Sequence, residues 1–214
     1  MDTRLTYLNA MDIQTWQLKT AASTAVIPMT ADWETLRESV VSCTACGLDK
    51  TRTQTVFGVG NVNAELMVIG EAPGFYEDQK GEPFVGRAGQ LLNGMLQAIQ
   101  FDRQTVYIAN ILKCRPPNNR DPQPEEVSSC TPFLEKQIAL IRPKLLLAVG
   151  RIAAHYLLNT KTSLSQLRGK MHTFGALQTP LIVTYHPAYL LRNPKDKGKA
   201  FEDLQMVKYH LSHA

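Results

Sequence analysis

"VIGEAPGFYEDQKGEPFVGRAGQLLN" occupies residues 68–93. It reads as the end of an apolar strand, halted at the turn Gly70, Glu71, Ala72, Pro73, Gly74, then a polar loop, then a helix expected from Ala88. Working outward, apolar runs at 66–69, 106–112, 145–149 and 181–185 are short and rich in Leu and β-branched residues. Helix-like stretches at 88–99, 125–141, 152–158 and 164–167 lie between them, and 201–211 repeats Phe201, Leu204, Val207, Leu211 at helical spacing. Continuously apolar strands that alternate with helices belong to a parallel sheet covered on both faces. The expected fold class is therefore α/β, a three-layer α/β/α domain with a central four-stranded, mainly parallel sheet.

The expected domain organisation is an N-terminal helical arm and linker at 1–35 and a catalytic-sized domain at 36–214. "TYLNAMDIQTWQLK" can form one amphipathic helix with Trp16 as a docking anchor, and "TAASTAVIPMT" reads as linker. A second helix is expected over 31–41, with Thr30 as its N-cap and Asp32 and Glu34 in its first turn. The 214 residues are 44% hydrophobic and 20% charged, ordinary for a globular chain able to bury a full core. The densest apolar run, 145–149, is far short of the roughly 18 residues of a membrane span. Asp2, Arg4, Asn9, Asp12 and Gln14 interrupt any secretory h-region, so no membrane association and a cytoplasmic location are expected.

Four cysteines carry more information. Cys43 and Cys46 form a C-x2-C pair, and Cys114 and Cys130 follow with fifteen residues between them. In a cytosolic chain such a set points to metal ligation rather than disulfides, and zinc and an iron–sulfur cluster both accept four thiolates. The formal charge of +4, from 23 basic and 19 acidic side chains, is a mild bias. It is concentrated at Arg192, Lys195, Lys197 and Lys199, a local basic patch.

In open α/β sheets ligands bind beyond the carboxyl ends of the strands. Three such ends carry polar groups that a core does not need: Glu71, Asn110 in "YIANILKCRPPNNRDP" and His186 in "VTYHPAYLLRNP". Convergence of the three on one sheet edge would make a pocket.

"GEAPG" (70–74), "PFVGRAG" (83–89), "NILKCRPPNNRDP" (110–122) and "HPAYLLRNP" (186–194), with the cysteines interleaved, resemble the family-four uracil-DNA glycosylases. The resemblance runs from about residue 36 to the C-terminus. It implies a four-stranded α/β/α fold and a [4Fe–4S] cluster on Cys43, Cys46, Cys114 and Cys130. It implies hydrolysis of the glycosidic bond of uracil flipped out of single- or double-stranded DNA, the first step of base-excision repair. Phe84 would stack on the base. Asn110 would pair with O4 and N3–H, and Gly70, Glu71 and Ala72 would approach the base closely. His186 would donate to O2 as negative charge gathers there. An aspartate stands where Ala72 is found in better-known uracil glycosylases, so Glu71 is the remaining candidate to orient water, the sugar or the base. Glu77 is placed by C5, where it would exclude the methyl of thymine. Leu190 and Leu191 are expected to wedge into the gap left by the base, with Arg192, Arg115 and Arg120 on phosphates.

Three other readings stand beside this one: a non-enzymatic four-cysteine module, activity on other deaminated bases, and a uracil-DNA-binding protein trapped covalently on DNA. Proteins of the last kind read "GEQPG" and carry a basic insertion with a histidine nucleophile. Here "LRGKMHTF" (167–174) has no such insertion, so His172 is expected to be an ordinary surface or strand-edge histidine. A monomer is expected.

Overall fold

The structure is a computed structural model that describes residues 29–213. The helix expected around Trp16 and the linker after it lie outside the described residues.

Four strands, β2 (Leu66–Gly70), β3 (Tyr107–Asn110), β4 (Leu145–Val149) and β6 (Thr179–Thr184), form the parallel centre of the sheet. Each is buried along nearly its whole length, which is why each reads as an unbroken apolar run. The sheet has six strands rather than four, in the order β1-β3-β2-β4-β6-β5. The additional strands, β1 (Val59–Gly60) and β5 (Met171–Phe174), pair antiparallel at the two edges. Neither has a legible sequence signal. The first is two residues long, and in the second exposed residues alternate with half-buried ones. His172 sits on this edge strand, its Nε2 2.8 Å from the Leu167 carbonyl.

Side chains of the central strands alternate between two hydrophobic clusters, following the period-two geometry of a strand. Met67, Ile69, Leu146, Ala148 and Val183 face α4 (Pro124–Ile141) and α5 (Arg151–Leu157). Leu66, Val68, Leu145, Leu147 and Ile182 face α3 (Arg87–Gln97) and α8 (Lys197–His213). The three-layer α/β/α class is as expected.

Three local differences from the sequence reading bear on the site. Residues read as polar loop after Gly74 form a short helix, α2 (Phe75–Lys80), and those after His186 form α7 (Pro187–Arg192). Both begin at the pocket, and neither is long enough to show a helical period. The first described helix, α1 (Met29–Val41), places Thr30 inside the helix instead of at its N-cap. It docks through Leu36 and Val40, and Trp33 meets Phe57 and Tyr107 edge-on with ring centroids 5.2 and 5.4 Å apart. The element α6 (Leu164–Leu167) falls where the sequence reading puts it.

Candidate active site

The parallel register sets Gly70 directly beside Asn110 and Val149 beside Thr184, so the carboxyl ends of all four central strands reach one edge of the sheet. A cavity of about 890 Å³ opens there, lined by Glu71, Ala72, Glu77, Phe84, Asn110 and His186 among others. Every pocket residue named from sequence thus lines it or, as with Gly70, abuts the residues that do. A Cβ on Gly70 would run into Asn110 Oδ1 and lie 2.6 Å from Phe84 Cζ. The strand ends in glycine because the two side chains that face the cavity occupy that space.

Asn110 is 2% exposed, and its Oδ1 is buried with no hydrogen-bond partner. Such an acceptor costs stability in the free protein, about 1–3 kcal/mol for a neutral group. Its backbone carbonyl is held from below by the Lys113 ammonium at 2.9 Å. Lys113, 1% exposed, also donates to Gln137 Oε1 at 2.6 Å; burial lowers its pKa to about 8, with Cys130 and Cys114 opposing.

Phe84 is buried, and its ring lies 5.7 Å from the His186 ring at an angle of 31°. Its backbone has φ 54°, a left-handed conformation uncommon outside glycine, asparagine and aspartate. The loop is tied in that shape by Arg103, which donates to the carbonyls of Phe84 at 3.1 Å and Pro83 at 2.7 Å. Glu77 ties it from the other side. Its Oε1 accepts the amides of Val85 and Gly86 at 2.9 and 3.1 Å. Glu77 thus lines the cavity and supports the loop that carries Phe84.

His186 is the N-cap of α7, and its Nδ1 accepts the Ala188 amide at 3.1 Å. An Nδ1 that accepts cannot carry the proton, so in the neutral ring the proton is on Nε2. Burial first, and then the charge of Arg192, lower the imidazole pKa to about 4, against an opposing pull from Glu77. At neutral pH the ring is thus uncharged, with one N–H to donate. Gly150, at φ 98°, makes room for it: a Cβ there would lie 2.9 Å from His186 Cβ.

Glu71 is half-buried, and its carboxyl pKa is pushed up to about 7 by burial and then by Asp121, with Arg151 opposing. Arg151 and Asp121 form an ion pair at 3.0 Å. The folded chain holds the Glu71 proton more tightly than an unfolded chain with pKa 4.5 would, so the associated stability is complete below about 4.5 and is lost as pH rises through about 7. Glu71→Gln, which keeps shape without charge, is expected to melt higher than the wild type at about pH 8, with the gap closing by about pH 4.5. Melting curves at several pH values check this; a gap that is constant with pH would rule out an ionisation penalty at Glu71.

The residues named as DNA contacts fare unevenly. Leu190 is 1% exposed and packs in the cluster beneath α3 and α8, so it is core and not the wedge expected from sequence, whereas Leu191 is 39% exposed. Arg120 lines the cavity but forms a two-pronged ion pair with Glu126, at 2.9 and 2.5 Å, next to the capping box of α4. Arg115 donates to Asn119 Oδ1 at 2.7 Å and lies over the Phe75 ring. Arg192 lines the cavity and is exposed.

Sequence reasoning missed Arg103, Lys113 and the third strand end. Gly150–Arg151 directly after "LLLAV" was a usable signal, a glycine and a cation where a parallel strand stops. Nothing local distinguishes Arg103, whose partners lie 10 to 20 residues away, or Lys113, which joins the nearby Asn110 carbonyl to Gln137, 24 residues on.

Cys43 and Cys46, which follow α1, line a second, small cavity together with Cys114, beyond β3, and Cys130, in α4. Hydrogen-bond donors point at three of the sulfurs. Arg52 reaches Cys114 Sγ at 2.9 Å, the Lys113 amide reaches Cys130 Sγ at 3.2 Å and the Ala45 amide reaches Cys43 Sγ at 3.5 Å. Burial pushes the Cys130 thiol up to about 11 and raises Cys114 as well, so a buried positive centre is needed to hold them as thiolates. Among the described residues, no three His, Cys, Asp or Glu side chains are grouped as a single-ion site.

The uracil DNA glycosylase superfamily matches residues 57–205, which span the central strands and the cavity at their carboxyl ends; the chain belongs to that superfamily. Within it, the chain is 45% identical over 174 residues to the type-4 uracil-DNA glycosylase of Archaeoglobus fulgidus, covering 78% of this chain and 87% of the relative. It is 42% identical over 179 residues to that of Thermotoga maritima, covering 82% and 92%. A type-5 uracil-DNA glycosylase of Pyrobaculum aerophilum is more distant, at 28% over 146 residues, 61% of this chain and 64% of the relative. This chain is a member of the type-4 uracil-DNA glycosylase family.

Proposed function

We propose that this chain removes uracil from DNA by hydrolysing its N-glycosidic bond, leaving an abasic site for base-excision repair. The observation that carries the reading is the buried, partnerless Oδ1 of Asn110 beside the Phe84 ring, at the mouth-facing end of a parallel sheet. An amide there accepts N3–H of uracil through Oδ1 and donates to O4 through Nδ2. Cytosine presents the reverse at both positions, leaving a buried group unpaired, the kind of mismatch that discriminates most strongly.

As the C1′–N1 bond breaks, its electron pair stays with the base and the sugar becomes oxocarbenium-like. Negative charge delocalises onto O2, where the Nε2–H of neutral His186 donates. Water adds its oxygen to C1′ and gives up a proton, and the uracil anion is later protonated. Ala72 has no group to take that proton, so Glu71 orients the water or the sugar in its ionised form. The rate of the chemical step is accordingly expected to rise with pH to a plateau above about 7, and Glu71→Gln to flatten the rise.

Cys43, Cys46, Cys114 and Cys130 fit a [4Fe–4S] cluster, which takes four thiolates set wider apart than a single ion does. The role of the cluster is structural: it fastens the α1 end to the segment after Asn110. Lys113, one residue from Cys114, holds the Asn110 carbonyl, so this fastening reaches the pocket floor. Residues 36–214 form the catalytic unit, DNA is engaged by Leu191, Arg192 and the exposed Lys195 and Lys197, and the protein acts as a monomer in the cytoplasm.

The test is release of free uracil from a labelled U·G duplex by anaerobically purified protein, with iron and sulfide content measured on the same sample. Uracil release that is strongly impaired in Asn110→Ala supports the reading. A covalent protein–DNA band without uracil release would replace it with a trapping protein.

A further inference from the structure

Phe75 and Tyr76 open α2 immediately after Gly74, yet their rings are 49% and 63% exposed. The next two residues of the helix turn inward. Glu77 lines the cavity, and Asp78, 1% exposed, accepts the Thr53 amide at 2.9 Å. Neither ring joins the clusters on the two sheet faces. The pair is nonetheless ordered by specific contacts. The two rings meet edge to face, with centroids 5.5 Å apart and planes at 80°, and the Arg115 guanidinium lies 5.0 Å over the Phe75 centroid. Arg115 is itself fixed to Asn119, which with Pro116 lines the cavity. Tyr76 reaches back toward Gly86, the residue before α3, with its Cδ2 3.5 Å from where a Cβ would stand. Two uncovered aromatic rings, one backed by an arginine, thus stand between the cavity-lining residues Gly74 and Glu77 and beside the lining segment of Pro116 and Asn119.

We propose that Phe75 and Tyr76 form a stacking ledge for the base next to the flipped uracil on the same strand, and that it serves single-stranded DNA. The inference rests on the uracil-excision reading of the cavity. Aromatic faces and arginine planes are the groups that hold unpaired bases, and they do so with little regard to base identity. Tyr76 offers the more open ring; Phe75, with a cation on its face and the Tyr76 ring at its edge, is the support. In a duplex the neighbouring base is already stacked within its own helix and gains little from a second platform. In a single strand it has no such partner, and the ledge replaces the lost stack.

The test compares wild type, Phe75→Ala/Tyr76→Ala, Phe75→Leu/Tyr76→Leu and Phe75→Trp/Tyr76→Trp. The substrates are a single-stranded oligonucleotide with uracil between adenines, the same strand with abasic spacers flanking the uracil, and a U·G duplex. The alanine and leucine variants are expected to raise KM on the adenine-flanked strand about tenfold with kcat unchanged, while the tryptophan variant keeps the wild-type KM. On the spacer-flanked strand and the duplex all four proteins are expected to agree. Because the rings are exposed, matching melting temperatures should accompany this, and Tyr76→Ala alone provides the same reading if the double variant is unstable. An unchanged KM on the adenine-flanked strand, or an equal rise on all three substrates, overturns the ledge and leaves the glycosylase reading intact. Wild-type protein that releases no uracil from any substrate sinks both.

Discussion

His186→Ala is expected to lower the rate of uracil release by about 10²–10³-fold, with the loss in kcat and little change in KM. On the proposed reading the imidazole donates its one N–H to the leaving base, a hydrogen bond that strengthens only as the base becomes an anion. A donor of this kind stabilises the transition state more than the bound substrate, so its removal shows in kcat. The charge state adds a second expectation. With the pKa lowered to about 4 and Nδ1 already accepting from Ala188, the ring is neutral throughout the working range. The ratio of wild-type to His186→Ala rates should therefore stay constant from about pH 6 to 8. Single-turnover rates at saturating DNA measure both. A ratio that falls off around the ordinary histidine pKa of about 6.5 would mean that a charged imidazolium does the stabilising, and the tautomer assigned here would be wrong.

Gly70→Ala is expected to cost about 10²-fold in uracil release while leaving the fold in place. One methyl at this position meets Asn110 Oδ1 and Phe84 Cζ together, the amide and the ring proposed to read and stack on the base. Neither can retreat freely. Asn110 is tied through its backbone to Lys113, and Phe84 sits on a loop held by Arg103 and Glu77. Overpacking of this size costs about 1–3 kcal/mol, within the ordinary stability margin of about 5–15 kcal/mol. The variant should therefore melt cooperatively and still fail to bind uracil. Activity within a few-fold of wild type would show that the sheet edge relaxes and that the tight fit around Gly70 is not what shapes the pocket.

The contrast between those two sites and the residues that support them explains what was legible in the sequence. Glu71, Asn110 and His186 could be found because each is a polar group at the end of an apolar run, an anomaly that a parallel sheet makes meaningful. The four central strands were legible for the same reason, since burial on both faces erases the alternation of an exposed strand. The edge strands Val59–Gly60 and Met171–Phe174 were not, because pairing along one side only needs no hydrophobic run. Leu190 and Leu191 looked alike in sequence, and the phase of a six-residue helix assigns one to the core and the other to the surface. Arg103 acts through backbone carbonyls of a distant segment and Lys113 through the carbonyl of Asn110, and backbone acceptors leave no trace in residue type.

The register that sets Gly70 beside Asn110 and Val149 beside Thr184 also governs when the site can exist during synthesis. Its parts are contributed by four strands separated by more than a hundred residues, and the strand leading to His186 lies next to β4 inside the sheet, not at its rim. A nascent chain that has emerged only as far as β4 contains Asn110 and Phe84 but lacks His186, the donor proposed for the leaving base. On the proposed reading, the groups assigned to base recognition are synthesised before the one assigned to catalysis, and the site is complete only once the last central strand is paired, a long-range step of the kind that slows folding. Any truncation upstream of β6 is expected to yield, at most, a fragment that recognises uracil without releasing it.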